Sequence, residues 1–172
     1  MSKGLPRSLS RGNALEKPVI KQTVKVWHTV SVTATGAAVG FGTAVIGDFP
    51  AGNVLVLGSV ANLSFAGPTS ANLTDTWNGD FSIGTTPTVD VTLSGTEVNL
   101  LASSATTVAA AEVSPKTRYA GVVTPALYDN TDGSLEINLN LLIDAADVVD
   151  GATVAVTVTG EYYIAYIMLG DD

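Results

Sequence analysis

The chain has 172 residues, of which 46% are hydrophobic and only 14% charged, and it carries a formal net charge of −8. This composition excludes a disordered chain, and its many Val and Thr residues, which pack well on pleated sheet and lose rotamer freedom in helices, argue against an all-helical fold. Cysteine is absent, which excludes disulfides, thiolate nucleophiles and cysteine metal sites.

The charge divides the chain into two parts. Residues 1–25 hold six cationic residues and one acidic residue, whereas residues 26–172 hold two cationic and fifteen acidic residues. We predict a basic, extended N-terminal arm over residues 1–22 and a single domain over residues 23–172, since a charge asymmetry of this kind marks a tail with its own partner. The candidate partner-binding residues are the cations of the arm: Lys3, Arg7, Arg11, Lys17 and Lys21. The acidic domain would repel phosphates, so the sequence predicts an acidic protein surface as the partner and no nucleic acid.

The first predicted strand covers residues 23–35, where small apolar residues alternate with polar ones. His28, the single histidine, falls on the apolar side and is interpreted as a packed side chain. A catalytic role would need a nucleophile and an acid that no local motif supplies, so we expect no enzymatic activity.

The next segments are rich in glycine. Residues 36–53 contain five glycines, and a turn is predicted over Gly47–Asn53. Gly40-Phe41-Gly42 lacks the third glycine of a dinucleotide fingerprint, so no cofactor is predicted. A buried strand follows from Val54 towards Phe65, with a bulge predicted at Gly58.

The middle of the chain gives weaker signals. Trp77-Asn78-Gly79 reads as a hairpin tip that enters a strand, and Trp77 is interpreted as a packing anchor in preference to a platform for a sugar ring. Residues 89–93 alternate like a half-exposed strand, residues 97–111 fit either a helix or a strand, and residues 119–123 read as a strand that ends before Pro125.

Acidic residues mark two turns. The run Asp129–Ser134 resembles a calcium loop only superficially, because the ligand spacing and the final Glu are wrong. Residues 135–143 follow this run, and their alternation of apolar and polar side chains predicts the clearest strand of the chain. Asp144, Asp147 and Asp150 could hold a metal, but helix capping and turn roles explain them more simply, with one helical turn over residues 145–149. No metal site is therefore predicted.

The last segment, residues 152–169, reads as one bent strand or two strands interrupted at Gly160, with tyrosines typical of an interface. About eight strands without βαβ alternation predict an all-β fold, an antiparallel β-sandwich of jelly-roll type. No stretch reaches the roughly 20 apolar residues that a membrane-spanning helix needs, so no membrane partner is expected. The few charges and the apolar end predict a homo-oligomer that covers an exposed sheet surface.

Four segments together resemble small virion proteins of tailed bacteriophages, in particular capsid decoration (cement) proteins: Trp77–Gly84, Leu135–Asp144, Asp150–Ala152 and Val158–Asp171. The likeness spans roughly residues 54–172. It implies a structural protein on the outer surface of the capsid, a homotrimer that bridges major capsid protein subunits with the help of an N-terminal arm. It implies no catalytic residues and no cofactor. The alternative is a carbohydrate- or receptor-binding sandwich of a head or tail fibre, with Trp77 or the tyrosines stacking on sugar.

Overall fold

A computed structural model describes residues 19–35, 39–69, 71–73, 76–121, 124–143 and 147–170. Apart from one short 3-10 turn, the regular structure in these ranges consists of nine strands, and every strand pair is antiparallel. The elements are β1 (Val19–Thr35), β2 (Val39–Asp48), β3 (Asn53–Ala66), β4 (Thr76–Gly84), the 3-10 turn (Gly95–Glu97), β5 (Leu101–Ala109), β6 (Thr117–Ala120), β7 (Ala126–Tyr128), β8 (Glu136–Ile143) and β9 (Thr153–Gly170).

The strands pair as one long hairpin that has been rolled up. β1 pairs with β9, β2 with β8, β3 with β6 and β7, and β4 with β5. Rolling the hairpin then places β9 beside β3 and β8 beside β4. This is the strand order of a jelly roll, so the predicted fold class is confirmed.

Two four-stranded sheets result, and they are joined at one corner. The order β1-β9-β3-β6 forms the first sheet, with β7 also on β3, and β2-β8-β4-β5 forms the second. The β1–β2 hairpin connects them through only three register pairs, from Thr33 to Thr35. A Cβ at Gly40 would lie 2.7 Å from the Thr33 carbonyl oxygen, and one at Gly42 would lie 2.2 Å from that of Ser31. Gly40 and Gly42, for which no strand was predicted, belong to strand β2, where glycine allows the close crossing.

The core lies between the sheets and is built on aromatic contacts. The Phe81 ring of the second sheet lies 4.8 Å from Phe65 and 4.6 Å from Tyr119 of the first sheet, measured between centroids. Trp77 is fully buried with its ring centroid 6.0 Å from that of Phe65. Trp77 is thus the predicted packing anchor, and its burial rules it out as a platform for sugar.

Residues 85–100 cover the outer side of the second sheet, and one amide holds them there. The Asn140 side chain of β8 accepts a hydrogen bond from the Thr88 backbone N–H at 2.9 Å and donates to the carbonyls of Thr86 and Glu97, both at 3.1 Å. The predicted strand over residues 89–93 is wrong. That segment turns at Asp90, whose carboxylate accepts a hydrogen bond from the Thr92 N–H, and the residue before the segment, Thr88, is held by Asn140.

Other predictions have mixed outcomes. The first strand begins at Val19, four residues before the predicted domain boundary, and residues 1–18 of the predicted arm lie outside the described residues. Residues 97–111, which fitted either a helix or a strand, contain strand β5. Asn78-Gly79 lies inside β4 and not at a hairpin tip. Glycine is needed there for close packing, since a Cβ at Gly79 would lie 2.0 Å from the Leu142 carbonyl oxygen of the adjacent strand.

Two predictions concern the end of the domain. Of the predicted helical turn over 145–149, residues 145 and 146 lie outside the described residues, and Val148 forms a bridge with Leu73. Asp144 lies outside the described residues. The final segment is a single strand, β9, in which Gly160 adopts a φ of 143° opposite Val26. The predicted bulge near Gly58 is confirmed by a register shift between Val56 and Gly58.

Candidate docking face

The outward side of the first sheet carries an unusual set of exposed side chains. Alternation along β1 directs Val24, Val26 and Val30 into the core, and it directs Lys21, Lys25 and Trp27 to solvent. Trp27 is 80% exposed, the largest exposed fraction among the large hydrophobic residues described. We call this outward side the basic sheet face and define it by Lys21, Lys25, Trp27, Arg118, Glu161 and Tyr163.

Register places these residues in rows across neighbouring strands. Lys25 of β1 lies opposite Glu161 of β9, which lies opposite Asn62 of β3, which in turn lies opposite Arg118 of β6. Glu161 also forms an ion pair with Lys116, at the start of β6. One carboxylate therefore lies among three cations, Lys25, Arg118 and Lys116.

A shallow depression adjoins this charged row. Lys21 lies opposite Ala165, which lies opposite Gly58, so two small residues leave a gap in the surface of the sheet. Tyr163, Val60 and Thr23 form its wall on one side, and the cavity measures about 390 Å³. The depression is mainly apolar with a cation at its rim, which suits an apolar side chain that is followed by a carboxylate.

A second exposed group surrounds the start of β1, where the predicted arm leaves the domain. Val19, Leu127 and Leu169 are 49%, 62% and 40% exposed. Leu55 lies opposite both Ile167 and Leu127, and Ile167 lies opposite Val19, so they form one apolar row. We call this row, together with Leu169, the arm-root cluster. Exposed apolar residues concentrated in this way are typical of protein contact surfaces.

Of the five predicted site residues, the structure describes Lys21. Lys21 lies on β1, exposed and on the basic sheet face. Lys3, Arg7, Arg11 and Lys17 lie outside the described residues. No site role was predicted for Trp27 or Tyr163 individually, although the alternation of β1 places Trp27 on the same side as Lys25.

The acidic candidates serve turns and loop contacts. The Asp147 carboxylate accepts the Asn78 backbone N–H at 2.8 Å. In the predicted turn, Asp129 accepts from the N–H and hydroxyl of Thr131, and Asp132 accepts from those of Ser134. The Ser134 hydroxyl beside Asp132 lowers the pKa of that carboxyl. Among the described residues, no group of three or more His, Asp or Glu side chains is arranged to hold a metal ion.

His28 remains on the inward, apolar side of β1, where it is half-buried. It lies opposite Val158 in the sheet, between Val26 and Val30 along the strand. These neighbours are apolar, as the interpretation of His28 as a packed side chain requires. Within the same described ranges, no helix is long and apolar enough to cross a membrane.

Comparison with known proteins gives weak similarities. No family model and no curated protein matches the sequence. Among solved structures, that of the Gx strain of infectious bursal disease virus aligns with 91% of this chain at 11% identity and a TM-score of 0.36. The VP2 subviral particle of that virus covers 90% of this chain at 10% identity and a TM-score of 0.33.

Desmodium yellow mottle tymovirus aligns with 91% of this chain and 92% of its own, at 9% identity and a TM-score of 0.32. This chain spans about a third, 34%, of the length of the infectious bursal disease virus chains. Similarities of this size carry no functional information, and the jelly-roll assignment rests on the strand pairing alone.

Proposed function

We propose that this chain is a structural virion protein, a capsid decoration protein without enzymatic activity that docks on the outer surface of a phage head. Its partners would be the major capsid protein and further copies of itself in a homotrimer. The observation that carries the proposal is the attachment of the basic arm. The arm joins the domain at a strand held by a continuous ladder to β9, from Val19 opposite Ile167 to Thr33 opposite Thr153.

This attachment suits a docking segment for a mechanical reason. A contact made by residues 1–18 would be transmitted to the first sheet along the whole β1–β9 ladder, because β1 begins at Val19 and pairs with β9 as far as Thr33. The arm-root cluster lies where the arm emerges and offers apolar area next to the arm's positive charge. Cationic residues increase the association rate of such a contact and orient the partners, and apolar residues slow its dissociation.

The test measures binding to capsids of the encoding virus that have been assembled without this protein. A variant with Lys3, Arg7, Arg11 and Lys17 changed to Gln keeps the length of the arm and removes its charge. We expect its affinity to fall by at least about tenfold at low salt, and by less at 0.5 M salt, where charges are screened.

Deletion of residues 1–18 is the second variant, and it should abolish binding while the domain stays folded. The cut belongs after residue 18 because residues 19–22 already pair with β9. Unchanged affinity of both variants, or absence of the protein from purified virions by mass spectrometry, would refute the proposal.

A further inference from the structure

The two sheets of the sandwich carry opposite charges. In the first sheet, β1 and β6 carry Lys21, Lys25 and Arg118, and the only acidic residue on its five strands is Glu161. In the second sheet, the four strands carry no cationic residue and three acidic residues: Asp48, Asp80 and Glu136. The molecule is therefore polarised from one sheet to the other.

The covering loop strengthens this polarity. Residues 85–100, which Asn140 holds on the outer side of the second sheet, contain Asp90 and Glu97 and no cation. Asp90 is exposed, and Asp48 is exposed at the end of β2, opposite Glu136. We call this region, defined by Asp48, Asp80, Asp90 and Glu136, the acidic side.

The basic sheet face also has the composition of a contact surface. Trp, Tyr and Arg are the residues that most often dominate binding energy at protein interfaces, and here Trp27, Tyr163 and Arg118 are exposed on one sheet. An indole ring that is 80% exposed contributes little to the fold of its own chain, so its apolar area is available to a partner.

Charge determines which surface this face can meet. Two basic sheet faces brought together by a two-fold axis would bring Lys21, Lys25 and Arg118 against their own copies, with Glu161 as the only carboxylate on either side. The acidic side of another copy offers the opposite charge. A contact between two different surfaces of one chain is heterologous, and it closes into a ring when the rotation between copies allows.

We propose that the basic sheet face docks head to tail on the acidic side of a second copy of this chain, with Trp27 and Tyr163 as the buried anchors. The inference deepens the proposed function, since it rests on the self-association included there and names the surfaces that make it. The arm and the arm-root cluster remain free for a different protein.

The experiment uses two complementary sets of reversed charges, measured by sedimentation velocity at tens of micromolar protein and low salt. Variant A carries Lys25→Glu and Arg118→Glu on the basic sheet face. Variant B carries Asp48→Lys and Asp90→Lys on the acidic side. The wild-type chain is expected to associate, and A and B alone are expected to be monomers.

Mixing A with B is the decisive measurement. The reversed face of A fits the reversed side of B, and the unchanged face of B fits the unchanged side of A, so a mixture should assemble although neither variant does so alone. Monomers in the mixture, or a monomeric wild-type chain under the same conditions, would overturn the proposal.

The control variant introduces two glutamates at the uncharged end of the same face, Thr33→Glu and Thr153→Glu, where the two hydroxyls share a hydrogen bond of 2.8 Å. It should associate like the wild type, and loss of its association would argue that any added negative charge suffices. Circular dichroism confirms that each variant is folded. Capsid binding is measured on the same proteins: binding without self-association would reject this contact and leave the proposed capsid function standing.

Discussion

Asn138 and Asn140 lie two residues apart on the same side of β8, both buried, and only Asn140 has hydrogen-bond partners within the described part of the chain. Asn140 satisfies its whole amide with Thr43, Thr86, Thr88 and Glu97. The Asn140 amide therefore holds residues 85–100 on the sheet, whereas the Asn138 amide is buried without a hydrogen-bond partner among the described residues.

This difference predicts opposite results for the same substitution. Asn140→Leu should lower the free energy of unfolding by about 2–4 kcal/mol, because it leaves the Thr88 N–H and two carbonyls unpaired. Asn138→Leu should leave the free energy unchanged or raise it by about 1 kcal/mol, because a side chain of similar volume replaces an unpaired amide. Urea unfolding measures both. A large loss in Asn138→Leu would mean that this amide has a partner, such as a buried water.

The two tryptophans provide a second matched pair. Trp77→Phe should cost about 1–3 kcal/mol of stability, since a smaller ring replaces a fully buried indole and leaves a cavity in the aromatic core. Trp27→Phe should change stability by less than about 0.5 kcal/mol, because Trp27 is exposed. In the wild-type protein, acrylamide should quench Trp27 fluorescence and leave Trp77 fluorescence largely intact. Equal quenching of the two single-tryptophan variants would contradict this assignment.

Gly160 tests the tight contact at the centre of the first sheet. A Cβ at this position would lie 2.1 Å from the Asn62 carbonyl oxygen, and the φ of 143° is unfavourable for any other residue. We expect Gly160→Ala to cost about 2–5 kcal/mol in thermal or urea unfolding. Gly151→Ala is the control, because its φ of 73° is also positive but no atom lies within 4 Å of the new Cβ. It should cost only about 1 kcal/mol. A similar cost for both variants would show that the loss of stability comes from the positive φ and not from the clash of the new Cβ.

Alkaline pH should destabilise the protein through its buried tyrosines. Burial raises the pKa of Tyr162 strongly and also raises the pKa values of Tyr128 and Tyr166. Above pH 10 the unfolded chain loses these phenolic protons while the folded chain keeps them. The contribution of these tyrosines to the free energy of unfolding is therefore fully present below about pH 10 and is lost as the pH rises above it, by up to about 1.4 kcal/mol per pH unit for the deeply buried Tyr162. Tyr162→Phe should make the decline shallower, as measured by urea unfolding at pH 9 to 12. An unchanged slope would contradict the assignment to Tyr162.

The sequence predicted the fold class because its signals were local and periodic. Strict alternation around Val30 and Leu139 indicated β1 and β8, and the absence of helical segments between strands excluded parallel sheets. Strand β2 was not predicted because Gly40 and Gly42 interrupt the alternation of polar and apolar side chains. Their role is to let β1 pass closely, a contact that depends on tertiary structure. The segment at Val89 was misread because the residue before it, Thr88, is held by an amide about fifty residues later in the chain, that of Asn140.

The candidate docking face was predictable only in part. Lys21 was assigned to the partner-binding arm from charge alone, whereas the structure places it on β1 within a sheet. Lys25 and Arg118 lie in one row because of the register across four strands. Local sequence patterns do not determine that register. Trp27 was placed correctly on the polar side of its strand, but its exposure follows from the absence of any described element above it.

The rolled hairpin has a consequence for how the protein is made. The Tyr166 hydroxyl of β9 donates to Gln22 of β1, 144 positions earlier in the chain. At a translation rate of about 5–20 residues per second, roughly seven to thirty seconds pass before the strand that completes the β1 ladder has been synthesised. During that time the edge of β1 is open to any other strand, which is a condition that favours aggregation and chaperone capture. Nascent chains that stop before β9 would leave both β1 and β3 without their shared neighbour, so we expect such fragments to be insoluble.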